Sequence, residues 1–232
     1  RTYPTGEFPN GVLIYKEFSN SVNSTKFADE LQSNAKWTSM GPFRESLIAG
    51  NQSGVGRINI VRFHPTNPKE IWVGAAAGGV WRSIDEGATW ETFPFTQFLS
   101  LGVNDIAISP SNPNIIYVGT GDAFGSAGTR DFYSIGVIKT TDGGNTWSVT
   151  NLSKELSDRK LIGRVLVHPT NPNIVLAATN DGIYKTIDGG NTWELKDKTA
   201  FFMDMEFHPN DPNTVYASTF SYGGNNGIFV SN

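Results

Sequence analysis

The chain has 232 residues, a formal net charge of −4 at pH 7 and no cysteine, which excludes thiol catalysis, disulfides and thiolate metal sites. No basic run is present and no apolar stretch reaches the roughly 18 residues of a membrane-spanning helix, so nucleic acid binding and membrane insertion are not expected. The abundance of glycine (25 residues) and phenylalanine (15 residues) suits short strands joined by tight turns, and the length suits one large all-β domain.

Residues 1–36 match no repeat and form a predicted lead segment. It contains a candidate strand from Val12 to Phe18 and a short helix capped near Ser24 or Thr25. The chain opens on Arg1 without a methionine, so we expect a mature or trimmed start with any signal peptide removed. Residues 37–232 are predicted to form the main domain.

Four repeats follow with the same order of elements. In each, an apolar strand ends in a proline turn, a second strand follows, and a third strand begins after a glycine. Four short strands in a repeat of roughly 40–50 residues are typical of a β-propeller blade, with a β-sandwich as the alternative. We predict an all-β propeller of four-stranded antiparallel blades, of which about three and a half are present, at residues 56–95, 102–151, 161–197 and, incomplete, 201–232.

Three repeats carry the pattern [ST]-x-D-x-G-x-T-W between the third and fourth strands. The aspartate can accept hydrogen bonds from its own turn, the glycine can adopt a positive φ, and the tryptophan can bury apolar surface and bond its indole N–H locally. The spacing lacks the dense oxygen ligands of a calcium loop. We therefore predict a structural role, with no metal and no catalysis, for Ser83, Asp85, Gly87, Trp90, Thr140, Asp142, Gly144, Trp147, Thr186, Asp188, Gly190 and Trp193.

A fourth copy of the pattern is expected to begin at Ser231, one residue before the last. We therefore expect this chain to be the N-terminal part of a longer propeller, with the C-terminal remainder of the chain as its first partner. The alternative is that the strand near Val12 to Phe18 completes the last blade.

The three stretches resemble the Asp-box, or BNR repeat, of sialidases, of family 74-type xyloglucanases and of VPS10/sortilin-like propellers. The flanking segments are similar to large bacterial VPS10-like surface proteins, many of which carry a sorting domain for type IX secretion. The resemblance covers roughly residues 37–232 and implies a secreted or cell-surface location. It also implies that the repeated turns lie on the blade periphery, away from any substrate.

The second repeat has a long insertion at residues 120–135, between its second and third strands. Long loops that mix charged and aromatic side chains are common in binding sites, although an ordinary blade decoration is the alternative. We predict a glycan or protein ligand site there, without a cofactor, formed by Asp122, Phe124, Arg130, Asp131, Phe132 and Tyr133. A weaker candidate is the loop at 220–226.

Charged residues recur near the start of the inner strands. Asp105, Arg164 and Asp204 occupy one aligned position, five residues before the turn proline, where the first repeat has Ile60. We predict that they line the mouth of the central channel and contact a ligand, with a structural ion-pair belt that joins Asp105 to Arg164 as the alternative. A second recurring slot holds His64, His168 and His208, for which we predict a role in turn structure.

The resemblance to glycosidases is incomplete at the catalytic positions. The F/Y-R-I-P segment of sialidases has its nearest counterpart in Phe43-Arg44-Glu45-Ser46, which departs at both later positions. The xyloglucanase segment R-T-D-x-G-G-A-Y-R matches Gly74 to Arg82, with Ala76 in the slot of the catalytic aspartate.

Because glycoside hydrolysis needs two carboxylates, these departures favour a non-catalytic secreted or surface propeller that binds a glycan or protein. One alternative is an Asp-box glycoside hydrolase in which Asp122 or Asp131 replaces the missing carboxylate. The other is an architectural module of a large surface protein.

Overall fold

A computed structural model describes residues 57–93, 102–123, 134–153, 155–220 and 226–231. The predicted lead segment and residues 37–56 lie outside this part. The described residues form four antiparallel sheets and one short 3-10 helix, Leu156–Asp158.

The first three sheets have four strands each and the fourth has three, and within every sheet the strands lie in sequence order. The first sheet contains β1 (Ile58–Phe63), β2 (Ile71–Ala75), β3 (Gly79–Ser83) and β4 (Glu91–Thr92). The second contains β5 (Val103–Ile108), β6 (Ile116–Thr120), β7 (Val137–Thr140) and β8 (Ser148–Val149). The third contains β9 (Ile162–Val167), β10 (Val175–Thr179), β11 (Gly182–Thr186) and β12 (Glu194–Asp197). The fourth contains β13 (Phe202–His208), β14 (Asp211–Thr219) and β15 (Ile228–Ser231).

Neighbouring sheets contact each other through their first strands, β1 with β5, β5 with β9 and β9 with β13. In the first three sheets the second strand is covered on both faces, and every residue of β2, β6 and β10 is buried. Three apolar clusters lie between consecutive sheets. This stacking of antiparallel meanders confirms the predicted β-propeller blades.

The repeated turn has the same hydrogen bonds in all three copies. In the second copy, Asp142 Oδ1 accepts bonds from Thr146 N at 2.9 Å and Thr140 Oγ1 at 2.7 Å, and Asp142 Oδ2 accepts one from Thr146 Oγ1 at 2.6 Å. Thr140 Oγ1 in turn accepts a bond from Gly144 N at 3.0 Å. Asp85 and Asp188 make the corresponding bonds. Each aspartate is therefore engaged within its own turn.

The tryptophans of these turns differ in their polar contacts. Trp147 is buried, and its Nε1 donates to Gly144 O at 2.8 Å, as predicted. Trp193 packs against the cluster between the second and third sheets, but its buried Nε1 has no hydrogen-bond partner. The prediction of a locally bonded indole is therefore correct for Trp147 and wrong for Trp193, whose half-buried ring packs on the apolar cluster without that bond.

Acid is expected to weaken these turns. Hydrogen bonds from Thr89 to Asp85 and from Thr146 to Asp142 lower the pKa of each carboxyl from 3.8 to about 2. A lowered folded-state pKa gives stability that is complete above the unfolded pKa and is lost as pH falls through the folded one. We expect the urea midpoint to drop between about pH 4 and pH 2. Asp142→Asn should make the urea midpoint depend less on pH. An unchanged pH profile in this variant would contradict the stabilising role of the Asp142 carboxylate.

The first copy of the turn contains a strained residue. Glu86 has φ 64°, whereas the equivalent Gly143 and Gly189 have φ 70° and 73°. A side chain in the left-handed region costs about 1 kcal/mol, so Glu86→Gly should raise the free energy of unfolding by about that amount. Urea titration measures this change in the free energy of unfolding. The exposed Lys69–Glu86 ion pair (3.6 Å) should contribute little, so Lys69→Ala serves as a near-neutral control. A loss of stability in Glu86→Gly would refute this explanation.

Candidate functional site

One face of the propeller is defined by a contact that all four sheets repeat. The residue after each second strand donates its backbone N–H to the carbonyl of the residue before the first strand. The bonds are Ala76 to Arg57 (2.9 Å), Gly121 to Gly102 (2.8 Å), Asn180 to Leu161 (3.1 Å) and Phe220 to Phe201 (2.9 Å). These four pairs therefore lie on the same side of their sheets, which we call the loop face because the insertion at 120–135 leaves the second sheet here.

Asp122 lies on the loop face in contact with the first sheet. Its Oδ2 pairs with Arg57 Nη2, and its Oδ1 accepts a bond from Asn59 Nδ2 at 3.2 Å. The Asn59 amide also donates to Val103 O at 3.0 Å. Asp122 is only 3% exposed, whereas the Arg57 side chain is 46% exposed. The cluster of Arg57, Asn59 and Asp122 thus joins two blades and fixes both carboxylate oxygens.

Ala76, in the slot that the xyloglucanase resemblance gives to an aspartate, lies beside this cluster. A Cβ on Gly102 would lie 2.8 Å from Gly121 O and 2.9 Å from Ala76 O, so the two loops meet across Gly102. The first blade therefore lacks a carboxylate at the slot of Ala76, whereas the adjacent second blade has the carboxylate of Asp122.

A second charged cluster occupies the loop face of the third sheet. Lys160 Nζ donates to Asp181 Oδ2 at 2.6 Å and to Tyr184 OH at 3.2 Å, and Thr179 Oγ1 donates to Asp181 Oδ1 at 2.6 Å. Partial burial raises the pKa of Asp181, but the bonds from Lys160 and Thr179 outweigh it and lower that pKa overall. Sequence analysis missed this cluster. The signal was present, since Thr179-Asn180-Asp181 aligns with the turn that carries Asp122.

The charged residues of the inner strands form one network across all four sheets. Asp105 Oδ1 accepts a bond from Arg62 Nη2 at 2.8 Å, and its Oδ2 accepts one from Val165 N at 2.7 Å and lies 3.7 Å from Arg164 Nε. Burial raises the pKa of Asp105, and the guanidinium groups of Arg62 and Arg164 oppose that shift.

The network continues into the fourth sheet. Arg164 Nε lies 3.3 Å from Asp204 Oδ1, and Arg164 Nη2 pairs with Glu206. Asp105 is 1% exposed, whereas the side chains of Asp204 and Glu206 are 61% and 65% exposed. Asp105 and Arg164 therefore have the contacts expected of the ion-pair belt, and Asp204 is the member of the predicted trio that is open to solvent. Sequence analysis missed Arg62 and Glu206, which occupy a different position in the repeat.

Several predicted binding residues lie outside the described residues, namely Phe124, Arg130, Asp131, Phe132 and Tyr133. In the weaker candidate loop, Phe220 is 43% exposed and packs edge to face on Phe201, with ring centroids 6.5 Å apart. Residues 221–225 of that loop are also outside the described part.

The recurring histidines accept backbone hydrogen bonds within their proline turns. His64 Nδ1 accepts a bond from Asn67 N at 3.0 Å, His168 Nδ1 from Thr170 N at 3.3 Å, and His208 Nδ1 from Asn210 N at 3.2 Å, which confirms the predicted role in turn structure. Among the described residues, no group of three or more His, Asp or Glu could hold a metal ion. Within the same ranges, no helix is long and apolar enough to span a membrane.

Comparison with known proteins gives no match to any family model. Xyloglucanase Xgh74A of Acetivibrio thermocellus is 24% identical over 228 residues, covering 90% of this chain and 25% of the relative. A probable oligoxyloglucan-reducing end-specific xyloglucanase of Neosartorya fischeri is 28% identical over 144 residues, covering 60% of this chain and 16% of the relative. The crystal structure of an ancestral GH74 enzyme matches with TM-score 0.58 and 25% identity over 70% of this chain and 22% of that one. The chain is a β-propeller.

These similarities correct one prediction from the sequence. The non-catalytic binding propeller was favoured because Ala76 occupies an aspartate slot, yet both curated relatives are named xyloglucanases. That prediction is wrong, and the findings favour the glycoside hydrolase alternative. The chain spans only about a quarter of the first relative's length.

Proposed function

We propose that this propeller belongs to a glycoside hydrolase that acts on xyloglucan or a closely related β-glucan. The similarity to a xyloglucanase over 228 residues, which cover 90% of the chain, carries the proposal. A secreted or cell-surface location follows from that proposal because polymeric glycans lie outside the cell. We further propose that the repeated turns are Asp-boxes in a VPS10-like propeller domain at 37–232, preceded by a lead segment at 1–36.

Hydrolysis of a glycosidic bond requires two positioned carboxyl groups. Because Ala76 cannot transfer a proton, we assign one of these roles to Asp122, on the adjacent blade of the loop face. Arg57 and Asn59 orient its two oxygens, and the half-exposed Arg57 connects the cluster to solvent. In this proposal Asp122 takes a proton from the attacking water, whose oxygen bonds to the anomeric carbon while the second carboxyl group protonates the departing sugar oxygen. The second carboxyl group is expected from Asp131, which lies outside the described residues, or from another part of the protein that the structure does not describe.

The loop face also offers apolar surface for a sugar ring. Phe220 is 43% exposed and is held by Phe201, and an aromatic face of this kind supports stacking against the C–H groups of a sugar. We propose that a glucan chain lies on this face, near Asp122, and is anchored by such rings.

The substrate class is tested by incubating the full-length protein with xyloglucan, with unsubstituted β-1,4-glucan and with a sialylated oligosaccharide, and separating the products by chromatography. Release of xyloglucan oligosaccharides is the expected result. Release of sialic acid instead would assign the protein to the sialidase type. Folded protein that releases nothing from any of the three would refute the hydrolase.

A further inference from the structure

Asn104 is a buried amide near the start of β5, where the second sheet meets the third. The residue is only 2% exposed. Its Oδ1 accepts the backbone N–H of Ala123 at 3.1 Å, and its Nδ2 donates to Gly163 O on β9 at 2.8 Å. Because one half of the amide faces a donor and the other an acceptor, a single orientation of the side chain satisfies both. Asn104 therefore connects the third sheet to the residue that directly follows Asp122.

The chain is held by hydrogen bonds on both sides of Asp122. This residue follows the last residue of β6 by two positions and so lies outside the regular strands. On its N-terminal side, Gly121 N donates to Gly102 O at 2.8 Å. On its C-terminal side, the bond from Ala123 N to Asn104 holds the next peptide group. Together these bonds set the direction in which the side chain of Asp122 leaves the backbone.

The first blade has an asparagine at the same position of its inner strand. Asn59 and Asn104 each stand six residues before the turn proline of their repeat. Asn59 Nδ2 donates to Val103 O at 3.0 Å and to Asp122 Oδ1 at 3.2 Å. Each amide thus bonds a main-chain carbonyl of the following blade and one part of the turn that carries Asp122. Asn59 holds the carboxylate, and Asn104 holds the chain behind it.

The third repeat holds its own turn in a different way. Its aligned residue is Gly163, where a Cβ would lie 2.6 Å from Met203 O, so a side chain has no room. The turn that carries Asp181 is held by the preceding residue, Asn180, whose Oδ1 accepts Leu161 N at 2.9 Å. The pair of asparagines therefore belongs to the two blades that meet at Asp122.

We infer that Asn104 is a positioning residue for Asp122 and acts through the backbone N–H of Ala123. The inference rests on the proposed function, in which Asp122 takes a proton from the attacking water. A base must lie within hydrogen-bond reach of the proton that it takes, so a rotation of the chain at Asp122 lowers the rate. A misplacement of about 1 Å costs on the order of 100-fold. Affinity for the glucan depends on other contacts of the loop face and should change little.

The two bonds of Asn104 predict different effects and can be separated by substitution. Asn104→Ala removes both bonds. Asn104→Asp keeps an oxygen acceptor for Ala123 N but replaces the amide donor that faces Gly163 O. If Asn104 only tied the second blade to the third, the aspartate would be at least as damaging as the alanine, because it places an acid in a buried site. A positioning role predicts instead that the aspartate retains most of the rate.

The test measures initial rates of oligosaccharide release from xyloglucan by the full-length protein and its variants, under conditions in which urea titration shows each to be folded. Asn104→Ala should lower kcat at least about tenfold and leave KM within about twofold. Asn104→Asp should keep kcat within about threefold of the parent value. Asn180→Ala is the matched control, since it also removes two side-chain bonds to the backbone, with Leu161 N and Arg159 O, and it should leave kcat unchanged.

Several results would overturn the inference. Equal losses of kcat in Asn104→Ala and Asn104→Asp would show a purely structural role, as would an equal loss in Asn180→Ala. If Asn104→Ala does not fold, the folded Asn104→Asp decides, since a loss of kcat there refutes the inference and a retained kcat supports it. Parent kcat in Asn104→Ala beside an inactive Asp122→Asn would refute the inference alone. A parent protein that releases nothing would refute the proposed function as well.

Discussion

Asp105→Ala is expected to lower the free energy of unfolding by about 3 kcal/mol, the lower end of the range for breaking a buried ion pair. The buried carboxylate pairs with Arg62, accepts the Val165 N–H and faces Arg164, so it joins three blades. Its removal takes this acceptor from Arg62 Nη2 and from the buried Val165 N–H, whereas Arg164 keeps Asp204 and Glu206. The lower value applies because the side chains of Arg62 and Arg164 are 28% and 16% exposed, which lets water reach them. Urea unfolding with a shared m-value measures the change.

Asp204→Ala is the matched control, since it removes another carboxylate that faces Arg164. Asp204 is 61% exposed and Arg164 keeps its contact with Glu206, so the loss should stay below about 1 kcal/mol. If Asp105→Ala cost no more than Asp204→Ala, the network would not be the link between blades that its geometry indicates.

Asp122→Asn is expected to reduce kcat on xyloglucan at least about 100-fold, the minimum usual for loss of a positioned acid or base. The amide keeps the shape of the carboxylate and one acceptor oxygen for Arg57 or Asn59, so the fold and the KM should change little. Initial rates over a range of xyloglucan concentrations separate kcat from KM.

The control for that variant is Asp181→Asn, at the aligned position of the third blade. Asp181 pairs with Lys160 and Tyr184, away from the cluster of Arg57, Asn59 and Asp122, so its replacement should leave kcat within a few-fold of the parent value. An equal loss of kcat in both variants, or full activity in Asp122→Asn, would show that Asp122 takes no part in the reaction.

The sequence predicted the features that depend on contacts between near neighbours in the chain. The bonds of the repeated turn join residues two to four positions apart, as those of Asp142 with Thr140 and Thr146 do, so the pattern of residue types contains the geometry. The strands were predictable because each repeat gives the same order of apolar runs, glycine and proline. The fourth repeat differs, since β14 begins at Asp211 instead of near Thr214 and pairs directly with His208.

The contacts between blades were harder to predict because they join residues far apart in the sequence. Arg57 and Asp122 are 65 positions apart, and Arg62 and Asp105 are 43 apart, so no local pattern indicates either pair. The interpretation of Ala76 failed for the same reason. The substitution removes a carboxylate from one loop, but the adjacent blade places Asp122 beside that loop, and this proximity appears only when the sheets are stacked.

The most direct test of the account is the rate at which reducing ends form when purified full-length protein is incubated with xyloglucan. We expect a linear release above the blank, which Asp122→Asn lowers at least about 100-fold and Asp181→Asn retains. Folded protein that gives no reducing ends above the blank, at several pH values and substrate concentrations, would contradict it.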